Sequence, residues 1–133
     1  MSARRAVVVV VACTLTVACA TAPPRPARSE FEDIPVPKGL VYQPEKSTII
    51  ESPKVKAALL LYRGRVEVES LTVAMRATLE ANGWKHLSTT VAPKQKTTQV
   101  YEKEGSSLQA RFWDGLWFTY AELTVSRILQ PPK

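Results

Sequence analysis

Leu108-Gln109-Ala110-Arg111-Phe112-Trp113-Asp114-Gly115-Leu116-Trp117-Phe118-Thr119-Tyr120-Ala121-Glu122-Leu123-Thr124-Val125 is the stretch that decides the fold. Leu108, Ala110 and Phe112 alternate with Gln109, Arg111 and Trp113; Ala121, Leu123 and Val125 alternate with Tyr120, Glu122 and Thr124. A period of two marks a strand with one buried and one wet face. Asp114-Gly115 between the runs supplies turn chemistry. Two adjacent antiparallel strands are therefore predicted, the second running to residue 129.

Upstream of this pair, Glu104-Gly105-Ser106 reads as a hairpin turn. Residues 97–103 alternate in the same way, and residues 84–91 are rich in β-branched side chains, with Pro93-Lys94-Gln95-Lys96 as the loop between them. Before these comes one helix, Val68 to Ala81. Val68, Leu71, Met75, Thr78 and Leu79 share a face, while Glu69, Arg76 and Glu80 lie off it. Asn82-Gly83 is its stop, because glycine takes the left-handed C-cap conformation without a Cβ penalty. Ala57-Ala58-Leu59-Leu60-Leu61-Tyr62 is a further strand, closed by Arg63-Gly64-Arg65. The expected domain, residues 57–129, is thus α+β: two layers, one helix on a mainly antiparallel sheet of about five strands, in β-α-β-β-β-β order.

Residues 31–56 have a different character. Phe31, Ile34, Val36, Leu40 and Tyr42 are interleaved with Pro35, Pro37 and Pro44, which forbid a helix. Residues 47–51 could form a short strand ended by Pro53. A plain spacer would not need those apolar side chains. The arm either completes its own domain's core or meets a partner. Residues 20–30, with Pro23, Pro24 and Pro26, read as an extended tether, and residues 130–133 as a tail.

The amino terminus carries an address. Arg4-Arg5 precede an uncharged run of 13 residues, 6–18, which ends in Leu15-Thr16-Val17-Ala18-Cys19. A membrane-spanning helix needs about 20 apolar residues, so the run suits an export signal instead. The small residues before Cys19 resemble a lipobox. That resemblance implies diacylglyceryl attachment to the Cys19 thiol, removal of residues 1–18 and a lipid-anchored protein. The alternative is an ordinary secretory signal cut near residues 18–20, with Cys19 incidental. Ala20, where an aspartate would retain the protein in the inner membrane, implies the outer membrane facing the periplasm.

Charge and cysteine content narrow the function classes. The chain has 18 basic and 12 acidic side chains; losing Arg4 and Arg5 with the signal leaves 16 and 12, net +4. The charges are interleaved, as in Glu102-Lys103-Glu104, so no basic stripe forms for nucleic acid. Cys13 and Cys19 are the only cysteines, which leaves the domain without a disulfide. His86 is the only histidine, and Asp33 and Asp114 are the only aspartates. No nucleophile elbow, phosphate loop or zinc motif is present. No cofactor is implied beyond the covalent lipid on Cys19, and no metal site or catalytic residue is expected.

Five of the nine residues 112–120 are aromatic. Trp113, Trp117 and Tyr120, flanked by Arg111, form a candidate partner-binding patch, with Phe31 and Ile34 of the arm as further candidates. The alternative is cross-strand packing with the arm lying over them.

The lipobox at 15–19, the proline-rich segment 20–30, the Phe31-Glu32-Asp33-Ile34-Pro35-Val36-Pro37 arm and the compact domain together resemble small lipoproteins of Gram-negative bacteria whose function is unknown. The domain type is also similar to accessory lipoproteins of envelope assembly machines, an analogy of fold alone. The expectation is a non-catalytic, membrane-anchored binding or scaffold module with an envelope protein partner. A lipid or glycan carrier, with its ligand between sheet and arm, is the alternative. An enzyme is a third reading, requiring a cleft that unites Glu122, His86 and Arg111.

Overall fold

The computed structural model describes residue 31, residues 33–94 and residues 96–129. The signal and tether, residues 1–30 with Cys19, and the tail, residues 130–133, lie outside the described residues. In chain order the elements are β1 (Leu40–Tyr42), a single 3-10 turn (Pro44–Lys46), β2 (Thr48–Glu51), β3 (Val55–Gly64), α1 (Val68–Ala81), β4 (Lys85–Ala92), β5 (Lys96–Lys103), β6 (Ser106–Asp114) and β7 (Thr119–Ile128).

All seven strands join one antiparallel sheet in the order β1-β3-β7-β6-β5-β4, with β2 also on β3. This corrects the expected two-layer α+β domain of about five strands in β-α-β-β-β-β order. The molecule is mostly sheet, and its two additional strands come from the arm. β1 pairs with the end of β3 (Tyr42↔Tyr62) and β2 with its beginning (Ile50↔Ala57), so both lie along one edge of the same strand. The 3-10 turn between them, with Pro44 in its first turn, interrupts what would otherwise be one long edge strand. The Ser47 hydroxyl bridges the break: it donates to the Gln43 carbonyl and accepts the Leu61 amide.

The helix forms where the periodicity places it. Its inward side chains Leu71, Met75 and Leu79 are fully buried, and Val68 nearly so. At its end Trp84 N–H donates to the Leu79 carbonyl and Gly83 N–H to the Glu80 carbonyl, with Gly83 at φ 83°. These are the two bonds of a Schellman cap, and Leu79 with Trp84 is its apolar pair. Beneath the helix the sheet contributes Ala58, Leu60 and Tyr62 from β3 and Ala121, Leu123 and Val125 from β7. β6 adds Leu108, Ala110 and Phe112, and β5 adds Tyr101. Gln99 is the polar link in this layer. Its side-chain amide donates to the Thr72 carbonyl at 3.3 Å, and its oxygen accepts the Tyr101 hydroxyl at 2.7 Å. Burial of that phenol pushes the Tyr101 pKa up to about 12.

The β5–β6 connection is a two-residue hairpin turn. Glu104 and Gly105 both have positive φ, as the type I′ geometry requires. The β6–β7 connection is longer: residues 115–118 protrude beyond the last paired residues, Asp114 and Thr119. The Gly115 amide donates to the Phe118 carbonyl at 2.7 Å and closes the loop.

Candidate functional site

The arm belongs to the core. Phe31 is 1% exposed and Ile34 4% exposed, both within the main apolar cluster. Lys56 Nζ and Arg127 Cζ stand 5.7 and 5.5 Å from the Phe31 ring centroid, and Arg127 also pairs with Asp33 at 2.5 Å. Lys56 and Arg127 are register partners of β3 and β7. The arm therefore closes the sheet at the start of β3, and Phe31 and Ile34 are unavailable to a partner in this fold.

The other candidate residues lie elsewhere. Arg111, Trp113 and Tyr120 sit on the face of the sheet opposite the helix. Trp113 and Tyr120 are register partners, and their rings stack at 5.6 Å with 16° between planes. On the next rung of that face Arg111 pairs with Glu122 at 3.1 Å. Gly115 allows the Tyr120 ring to lie close: a Cβ there would meet Tyr120 Cε2 at 2.5 Å. The arm does not lie over this pair. Phe31 is tied to Lys56 near the beginning of β3, whereas Trp113 and Tyr120 register with Arg63 near its end.

Trp117 stands apart again. At the tip of the β6–β7 loop, Leu116 is 89% and Trp117 77% exposed. Phe118 behind them is covered by two guanidiniums, Arg63 Cζ at 4.8 Å and Arg65 Cζ at 5.4 Å from its ring centroid. Neither arginine forms an ion pair among the described residues. The loop base is fixed by the Thr119 hydroxyl, which reaches the Val66 carbonyl and lies 3.0 Å from Asp114 Oδ1. The tip is thus an exposed apolar pair on a braced hairpin with two cations immediately behind it. The sequence did not single out Arg63 and Arg65. Only their distance from Phe118, more than fifty residues away in the chain, reveals them.

The residues named for an enzyme are separated by the sheet. His86 registers with Tyr101 on the helix side, its ring 5.3 Å from the tyrosine and its Nε2 2.7 Å from Thr89 Oγ1. Glu122 and Arg111 lie on the opposite face. Among the described residues no three of His, Cys, Asp and Glu come together as a metal cluster. An open groove of about 500 Å³ runs between α1 and β4, with Val68, Val73 and Val91 along it and Glu67, Glu69 and Asp114 among its lining residues. The Trp84 indole N–H, at the arm end, is buried without a hydrogen-bond partner among the described residues.

No helix among the described residues is long and apolar enough to cross a membrane. No protein-family model, no curated protein and no solved structure matches this chain.

Proposed function

We propose that this chain is a non-catalytic binding module of the bacterial envelope, anchored through a lipid on Cys19 and facing the periplasm from the outer membrane. Its working surface is the tip of the β6–β7 hairpin. The observation that carries this reading is the exposure of Leu116 and Trp117 on a braced loop. The turn itself needs only Asp114-Gly115 and the Gly115–Phe118 hydrogen bond, so neither side chain serves the fold. Phe31 and Ile34 pack in the core cluster, which favours the tip over the arm as the working surface.

The test has two parts. A fatty-acid probe labels the parent chain in cells, and Cys19→Ala abolishes that label and releases the protein to the soluble periplasm. A photo-crosslinking residue at position 117 then captures the envelope component that the tip touches, while one at position 73 does not. Unchanged labelling of Cys19→Ala refutes the anchor, and equal capture at both positions refutes the tip.

A further inference from the structure

We infer that the β6–β7 tip docks on an anionic phospholipid bilayer, with Leu116 and Trp117 as an interfacial wedge and Arg63 and Arg65 on the lipid phosphates. The inference rests on the binding-module reading above and names its partner.

The size of the surface argues against a protein partner. A stable protein interface covers about 800 Å² per side, contributed by some 20–30 residues. Here only Leu116 and Trp117 of the hairpin project fully, with half-buried Phe118, Trp113 and Tyr120 behind them and exposed Val41 beside Arg63. Behind the two exposed residues, Phe118 is capped by guanidiniums and Trp113 is stacked on Tyr120. One rung further along, the face is the Arg111–Glu122 ion pair. A projecting wedge of two side chains suits a fluid surface that closes around it.

The chemistry fits the headgroup layer. Tryptophan settles at a membrane interface because its ring is apolar and its indole N–H polar. Leucine beside it enters the acyl boundary. Arg63 and Arg65 sit one ring behind, and neither has a carboxylate partner among the described residues. The same end of the sheet carries Lys38 in the turn before β1 and Lys94 and Lys96 at the β4–β5 turn. These five cations face three carboxylates there, Glu67, Glu69 and Asp114, leaving the end net positive. Anionic lipid is the surface such an end attracts.

The chain can reach its own membrane. From Lys56, beneath Phe31, to Arg63, beside Phe118, is seven residues of β3, about 23 Å at the rise of a strand. Residues 19–30, twelve in all, span up to about 37 Å when extended. That length lets the tip fold back onto the bilayer that holds Cys19. The lipid then supplies attachment and the tip supplies orientation.

The experiment uses residues 19–133, the chain without its signal, with Cys19→Ala, so that neither signal nor lipid masks the tip. Partition is measured into vesicles of phosphatidylethanolamine with phosphatidylglycerol, and into vesicles of phosphatidylcholine alone. Brominated acyl chains report tryptophan depth. The expected result is partition into the anionic vesicles with bromine quenching, weakening as salt is raised. Leu116→Ala with Trp117→Ala should lower that partition at least tenfold, and each of Arg63→Gln and Arg65→Gln by about fivefold. Circular dichroism establishes that the variants are folded. No partition, equal partition into neutral vesicles, or an unaffected tip variant overturns the proposal. So does a crosslinker at position 117 that captures protein and not lipid in intact cells. Failure of fatty-acid labelling at Cys19 would instead remove the anchor and leave the vesicle result standing.

Discussion

Phe31→Ala separates an arm that builds the domain from one that merely precedes it. The Phe31 ring is closed from solvent, lies in the main cluster and has a lysine and an arginine over it. Truncating a buried phenylalanine costs about 3–5 kcal/mol. A domain of this size has about 5–15 kcal/mol in total, so the variant should lose at least about a fifth of its stability. Urea unfolding is the assay. If the whole domain weakens, the midpoint falls and the slope stays constant. If only residues 31–39 fray, the cost is capped at the free energy of docking the arm, the slope falls, and Trp84 fluorescence shifts red. Trp117→Ala is the companion measurement. Its side chain is exposed, so stability should move by no more than about 0.5 kcal/mol. A Phe31→Ala loss below about 1 kcal/mol with unchanged slope and fluorescence would refute the placement of the arm in the core.

Three further outcomes are expected. The folded protein keeps the Tyr101 proton up to about pH 12, while the unfolded chain releases it near pH 10. Stability from this group is therefore full below pH 10 and declines by about 2–3 kcal/mol as the pH rises through 12; Tyr101→Phe removes that decline, read from urea midpoints across the range. Gly64→Ala would place a Cβ 2.2 Å from the Gly39 carbonyl oxygen, so β1 must shift. A loss of about 1–3 kcal/mol and faster amide exchange at Val41 and Gln43 should follow. Gly115→Ala forces the Tyr120 ring off Trp113, which near-ultraviolet circular dichroism detects, at a cost of about 0.5–1.5 kcal/mol.

The helix and the last four strands were legible because their signals are local. Leu71, Met75 and Leu79 repeat at helical spacing, Asn82-Gly83 ends the run, and Glu104-Gly105-Ser106 marks a hairpin turn. β1 carries no such signal, and β2 only the short β-branched run Thr48-Ile49-Ile50 ended by Pro53. β1 is three residues long, and every residue of β2 is exposed, so neither displays an alternation to read. Prolines at 35, 37, 44 and 53 argue against regular structure around them. What makes these segments strands is β3, whose edge lies free for them along its length. That partner is tertiary, and local propensity yields to it. The site divides in the same way. The Trp113–Tyr120 pair follows from alternation across the turn, whereas the exposure of Trp117 does not, because turn residues have no period. Phe31 and Ile34 were visible as apolar residues needing cover, but the sequence does not say whether that cover is the chain itself or a partner.

The placement of the arm gives the tether a mechanical meaning under the proposed anchor. A domain held at one end transmits every pull through the first residues that are packed. Among the described residues the first that pack are Phe31 and Ile34, backed by Asp33 on Arg127 and then by β1 and β2 along β3. If residues 31–39 came loose, nine residues would join the tether and lengthen it by about 28 Å. A tip that must find a bilayer from a fixed distance would then search a much larger volume, and its effective concentration at the surface would fall roughly as the −3/2 power of tether length. The buried phenylalanine thus sets the reach of the exposed tryptophan, although the two lie at opposite ends of β3. A lipidated Phe31→Ala variant should keep its membrane anchor but lose bilayer contact at Trp117, measured by bromine quenching, to an extent that tracks fraying and not global unfolding. Full quenching in a variant whose arm has frayed would show that tip docking does not depend on tether length.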